Sequence, residues 1–92
     1  MAYRLISTPH FERRLKKFRQ SHPDLSPRVE GVFRDLRLDP FQPGLRLHPL
    51  RGELAGLHAV SVTYAYRNIL ILRLDDNNIT LLDIGGHDMV YR

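Results

Sequence analysis

Residues 67–74 read Arg67-Asn68-Ile69-Leu70-Ile71-Leu72-Arg73-Leu74, apolar on both alternating sets of positions. Successive side chains of a strand point to opposite faces, so such a run belongs at the centre of a sheet covered on both sides. With 92 residues in all, the chain has room for one hydrophobic core and so reads as a single domain, 1–92. The remaining segments must therefore supply the neighbouring strands and the cover.

The first half supplies helices. Tyr3-Arg4-Leu5-Ile6-Ser7 reads as a short strand. Thr8-Pro9 then offers an N-cap followed by proline at the first helical position. Phe11, Leu15 and Phe18 fall at i, i+4 and i+7, one apolar stripe of a helix running to about Ser21. Arg13, Arg14, Lys16, Lys17 and Arg19 make the rest of that helix basic. Ser26-Pro27 repeats the cap-plus-proline start, and Val29, Val32, Phe33 and Leu36 mark the buried face of a second helix ending near Leu38. The link between them is short, which predicts an antiparallel helical hairpin on one face of the sheet.

The second half is strand-like. Leu45-Arg46-Leu47-His48 reads as a short strand, Leu57 to Thr63 alternates, and Ile79 to Ile84 is the last strand after a turn at Asp75-Asp76-Asn77-Asn78. Short hairpin connections make these strands antiparallel. The expected architecture is α+β: an N-terminal strand and two-helix hairpin packed on a twisted, mainly antiparallel sheet of four to five strands.

Composition narrows the partners. Charged residues at 26% and hydrophobic residues at 42% are ordinary for a globular domain. No cysteine is present, which excludes disulfides and thiolate metal sites and fits a reducing compartment. No apolar run reaches the length of a membrane span, nor does the N-terminus carry a signal-peptide core, so a soluble cytoplasmic protein is expected. Of the 14 basic residues, twelve are Arg, and the net charge is +4. Arg holds phosphates in a planar fork and stacks on bases, so this balance leans towards a polyanionic partner.

The candidate chemistry lies in the second half. Asp83-Ile84-Gly85-Gly86-His87-Asp88-Met89-Val90-Tyr91-Arg92 ends the chain with a proton-transfer candidate, a phenol and a guanidinium directly after a strand. His48, His58 and His87 follow or lie on strands, and a curved sheet could gather them on one concave face. Cleavage of an RNA phosphodiester needs a base for the 2′-OH, an acid for the leaving 5′-oxygen and a cation for the phosphorane. Two His and an Arg fill that list without a metal. Arg67, at the head of the most hydrophobic strand, is either paired at the sheet edge or aimed into a site. Arg46, Arg51 and Arg73 are further phosphate candidates, and Tyr91 can stack on a base. His10 and His22, at a helix start and a helix connection, are left out. The plainer reading of each His is a surface or hydrogen-bonded structural residue. A metal on the three His and Asp88 is the competing use, but no pair has a tight ligand spacing.

Three stretches resemble a known family: His48-Pro49-Leu50-Arg51-Gly52-Glu53-Leu54-Ala55-Gly56-Leu57, Tyr66-Arg67-Asn68-Ile69-Leu70-Ile71, and Leu82-Asp83-Ile84-Gly85-Gly86-His87 with the residues to Tyr91. With the order of elements, they resemble the RelE/ParE toxin superfamily of type II toxin-antitoxin modules, on its RelE and YafQ-like side. The resemblance implies a ribosome-dependent mRNA endonuclease that works without a cofactor or metal and leaves a 2′,3′-cyclic phosphate and a 5′-hydroxyl. It implies His87 as general acid or base, His48 as its partner in proton transfer, and Arg67 as the holder of the scissile phosphate. Arg46, Arg51, His58, Arg73, Tyr91 and Arg92 would contact RNA. Ser61 stands where YafQ-like toxins carry another His, and the lysine-rich loop of RelE proper is absent. The partners implied are a cognate antitoxin with an acidic or amphipathic segment, the 70S ribosome and mRNA, and operator DNA only for the toxin-antitoxin complex. The alternatives are a ParE-like inhibitor of DNA gyrase and a degenerate member that only binds its antitoxin as corepressor.

Overall fold

A computed structural model describes residues 2–73 and 76–86 of the chain, and for residues 68–73 it describes the backbone alone. The first helix, α1, spans Pro9–Ser21. Its start follows the local chemistry: Thr8 is extended and its hydroxyl oxygen accepts from the Phe11 amide at 3.2 Å, with Pro9 supplying a preset φ in the first turn. The same hydroxyl donates to the Leu81 carbonyl at 3.0 Å, so the cap also fixes the helix to the sheet.

The second helix, α2, spans Ser26–Leu38, but Ser26 is not its cap. A 3-10 turn at Pro23–Leu25 runs directly into the helix, leaving Ser26 already helical and Leu25 in the cap position without a side-chain bond. The Ser-Pro signature is overridden because Pro23 had already started helical winding. Phe11 meets Phe33 edge-on at 6.1 Å, while Arg19 pairs with Glu30. Early α1 thus faces late α2 and late α1 faces early α2, the expected antiparallel hairpin.

Five strands follow: β1 at Arg4–Ile6, β2 at His48–Pro49, β3 at His58–Ser61, β4 at Tyr66–Arg73 and β5 at Asn78–Gly86. Their order across the sheet is β1-β5-β4-β3-β2, which puts the apolar β4 at the centre as its sequence requires. β1 pairs parallel with β5, and the other three pairings are antiparallel. The fold is α+β with a mixed sheet. Phe11, Leu15 and Phe18 of α1 and Val29, Val32, Phe33 and Leu36 of α2 form one core with Val60, Val62, Ile79, Leu81 and Ile84. A smaller cluster, Leu50 and Ala59 with Leu54, Leu57 and Leu82, forms a separate apolar group.

The alternating stretch Leu57 to Thr63 is a strand only over His58–Ser61, and two other strands depart further from expectation. Leu45 to His48 is not a strand. Pro43–Leu45 is a 3-10 turn, Arg46 takes a left-handed conformation at φ 54°, and pairing begins only at His48. Pro43 has no N–H to give a ladder, and the buried Leu45 draws the backbone into the core instead. The last strand is longer than Ile79 to Ile84: both glycines stay in register, Gly85 opposite Arg67 and Gly86 opposite Tyr66. A bulge opposite Ile69 and Leu70 makes Leu82 the extra residue of β5. Among the described residues, no helix is long and apolar enough to cross a membrane.

Candidate active site

Strand register decides which candidates share a face. Cα partners in an antiparallel pair point their side chains the same way, as do residues two apart along a strand. His48 is opposite Ala59, and Ser61 is opposite Arg67. Ala59 and Ser61 are two apart, so His48, Ser61 and Arg67 share one face of the sheet. Val60 and Val62, on the other parity, belong to the helix-covered core.

That shared face opens into a cleft of about 800 Å³ lined by Arg28, Gly44, Arg46, His48, Ser61, Thr63, Tyr64, Ala65 and Arg67. Three arginines and a histidine are among these residues, and among the described residues no carboxylate lines the cleft. A cleft that gathers guanidinium groups in a low local dielectric suits a phosphate or a developing oxyanion.

His48 is the most defined group. Its Nδ1 is 2.8 Å from the backbone oxygen of Arg46. A carbonyl can only accept, so Nδ1 carries a proton and donates, leaving Nε2 as the basic atom of the neutral ring. Protonation at Nε2 keeps the Nδ1 bond, so the ring orientation is held in both states. Arg46 presents that carbonyl from the left-handed backbone after the 3-10 turn, a conformation that costs a residue with a Cβ about 1–2 kcal/mol. The cost coincides with the cleft, where strain of this kind is commonly found.

Arg28 escaped the sequence reading. It sits in the first turn of α2, and its Nε donates to the Val62 carbonyl at 2.7 Å. This joins the helical layer to the loop after β3 and brings a third guanidinium to the cleft. A 34-residue separation left no local pattern to reveal it.

The remaining candidates are distributed differently. His58 has the parity of Val60, so it points away from His48 and does not line the cleft; its Nδ1 is buried without a hydrogen-bond partner among the described residues. Arg51 is exposed at the start of the 3-10 turn Gly52–Leu54, apart from the cleft lining. Arg73 ends β4 opposite Asn78, at the far end of the strand from Arg67. His87, Tyr91 and Arg92 lie outside the described residues.

Two histidines left out by the sequence reading have structural partners. His22 packs against both Phe18 and Tyr66, with ring centroids 4.8 Å and 4.6 Å away. Tyr66 also meets Phe18 edge-on at 5.0 Å, so the residue before Arg67 is locked into the α1 side. His10 lies 3.6 Å from Asp83, whose other oxygen accepts from Arg14 Nε at 2.9 Å. These contacts hold the start of β4 and the later part of β5 against α1.

No family model matches the chain, and no curated protein matches it by sequence. Solved structures do. YafQ from E. coli superposes with a TM-score of 0.82 at 16% identity, covering 98% of this chain and 99% of that one. The YoeB/ParE toxin from Agrobacterium tumefaciens gives 0.75 at 15% identity, over 91% and 98% of the two chains. The RelBE toxin-antitoxin complex from Mycobacterium tuberculosis gives 0.63 at 24% identity, over 95% and 100%. The chain has the fold of the RelE and YafQ-like toxins.

Proposed function

We propose that this protein is a toxin of a type II toxin-antitoxin module and acts as a ribosome-dependent mRNA endonuclease. The observation that carries the reading is the cleft in which His48, oriented by the Arg46 carbonyl, stands with Arg28, Arg46 and Arg67. A ParE-like gyrase inhibitor has no need of an oriented base in a cationic cleft.

In this reading, Nε2 of His48 takes the proton of a ribose 2′-OH. The new bond forms between O2′ and phosphorus, the P–O5′ bond breaks, and the products are a 2′,3′-cyclic phosphate and a 5′-hydroxyl. Arg67 and Arg46 stabilise the charge that builds on the phosphorane oxygens. A second group must protonate O5′. His87, the residue after Gly86, is assigned that role on the family resemblance, with the acid and base assignments exchangeable between the two histidines. A cognate antitoxin would hold the toxin inactive by laying an acidic amphipathic segment on the basic face. YafQ occurs in complex with DinJ, a toxin-antitoxin pair, in a solved structure that this chain matches over its full length.

Primer extension on a message bound to programmed ribosomes tests the reading. Cleavage in the A site that disappears in Arg67→Ala supports it. Intact message together with inhibited gyrase supercoiling would replace it with the ParE-like alternative.

A further inference from the structure

The rim of the cleft carries an aromatic ring that the proposed reaction has not used. Tyr64 is 100% exposed, and it lines the same cleft as the three arginines. A single exposed aromatic residue is ordinary on a protein surface. Two further observations distinguish this one.

The first is that its loop is held on both sides. The Val62 and Thr63 amides donate to the Tyr66 carbonyl at 2.8 Å and 3.2 Å. The Ala65 amide donates to the Thr63 hydroxyl at 3.3 Å, and Arg28 Nε holds the Val62 carbonyl from below. The backbone around Tyr64 is therefore cross-tied while its ring projects into water. The second is the company it keeps. A positively charged groove beside an exposed, well-placed aromatic ring is the combination with which proteins hold single-stranded nucleic acid: the cations follow the phosphates and the ring stacks on a base.

We infer that Tyr64 is a stacking platform for a nucleobase next to the phosphate held in the cleft, and so a substrate-contacting residue for single-stranded RNA. This rests on the ribonuclease reading above. Stacking tolerates any base, because each offers a π-face, so Tyr64 contributes affinity and positioning more than sequence choice. A backbone already tied in place lowers the entropy lost on binding.

The test uses Tyr64→Leu and Tyr64→Phe. A message with 2-aminopurine at successive positions around the A site, and a 2′-O-methyl group blocking cleavage, is bound to programmed ribosomes. The unsubstituted protein and Tyr64→Phe should quench the emission of 2-aminopurine at one position or two adjacent ones, and Tyr64→Leu should not. On cleavable message, Tyr64→Leu should raise the protein concentration for half-maximal cleavage by roughly tenfold or more, with the saturating rate kept. Equal quenching and equal half-maximal concentrations for all three proteins would overturn the inference while leaving the nuclease reading intact. Equal weakening of Tyr64→Leu on ribosomes with and without message would overturn it as well, making Tyr64 a ribosome contact. If the unsubstituted protein neither cuts nor quenches, the nuclease reading falls and this inference falls with it.

Discussion

The Arg46 carbonyl accepts a hydrogen bond from His48 Nδ1 at 2.8 Å, and it does so from a left-handed backbone that its own side chain disfavours. Position and charge are in conflict at this residue, and the two can be separated. Arg46→Gly removes the Cβ and keeps the carbonyl, so it should stabilise the fold by about 1 kcal/mol. The same change removes a cation from the cleft and should lower cleavage. A variant that is more stable and less active, measured by urea melts and by cleavage on programmed ribosomes, is the expected outcome. His48→Gln should lower cleavage by roughly 10²–10⁴-fold while leaving stability close to that of the unsubstituted protein.

Arg67, the second residue of β4, and Arg73, its last, are six residues apart. At a rise of about 3.3 Å per residue the two Cα atoms stand roughly 20 Å apart, too far to serve one phosphate. Arg67→Ala should therefore cost roughly 10²–10³-fold in cleavage, the scale of losing one oxyanion contact, whereas Arg73→Ala should leave the rate unchanged. Arg67→Lys should recover little of the loss, since an ammonium cannot reproduce the guanidinium fork. Comparable losses from the two alanine variants would mean that the RNA path runs along the strand rather than across it.

Two arginine ion pairs of α1 should contribute very differently. Arg14 and Asp83 are about four-fifths shielded, with side chains 20% and 21% exposed, and Asp83 also accepts from the Ile84 amide at 2.9 Å. Arg19 and Glu30 are far wetter, at 40% and 59%. Asp83→Ala should destabilise the protein by about 1–3 kcal/mol, because it breaks charged hydrogen bonds and leaves Arg14 desolvated. Glu30→Ala should cost under about 1 kcal/mol, as is usual for exposed pairs. Thermal melts at low and moderate salt check both values, and only the Glu30 variant should lose its effect as salt rises.

These contrasts also explain what could be read from the sequence. Phe11, Leu15 and Phe18, and then Val29, Val32, Phe33 and Leu36, announced two helical faces because periodicity is a local property, and each of these residues is buried. The same holds for β4, whose doubled apolar set requires the centre of the sheet. The site was less legible because it depends on register. One residue of slippage would turn Ser61 and Arg67 to the other face, and that same parity is what separates His58 from His48. Arg28 reaches the cleft only through α2 packing near the end of β3, and Arg46 only through a 3-10 turn where a strand was expected. Arg46 was among the phosphate candidates, but Arg28 has no signature within its own segment.

The pairing of His48 with His87 can be tested without knowing which one gives the proton. Groups that act on one transition state as a unit are strongly non-additive: removing the first forfeits most of what the second contributes. His48→Gln and His87→Ala should each cost roughly 10²–10⁴-fold in single-turnover cleavage. The double variant should be only slightly slower than the worse single one, the remaining rate coming from Arg67, Arg46 and the geometry of the ribosome-bound message. A double variant whose loss is the product of the single losses would show two independent effects, and the acid-base pair would have to be given up. Assaying the same four proteins with a message whose 5′-leaving oxygen is replaced by sulfur identifies the acid. A thiolate leaves without a proton, so the residue whose replacement no longer matters on that substrate is the one that protonates O5′.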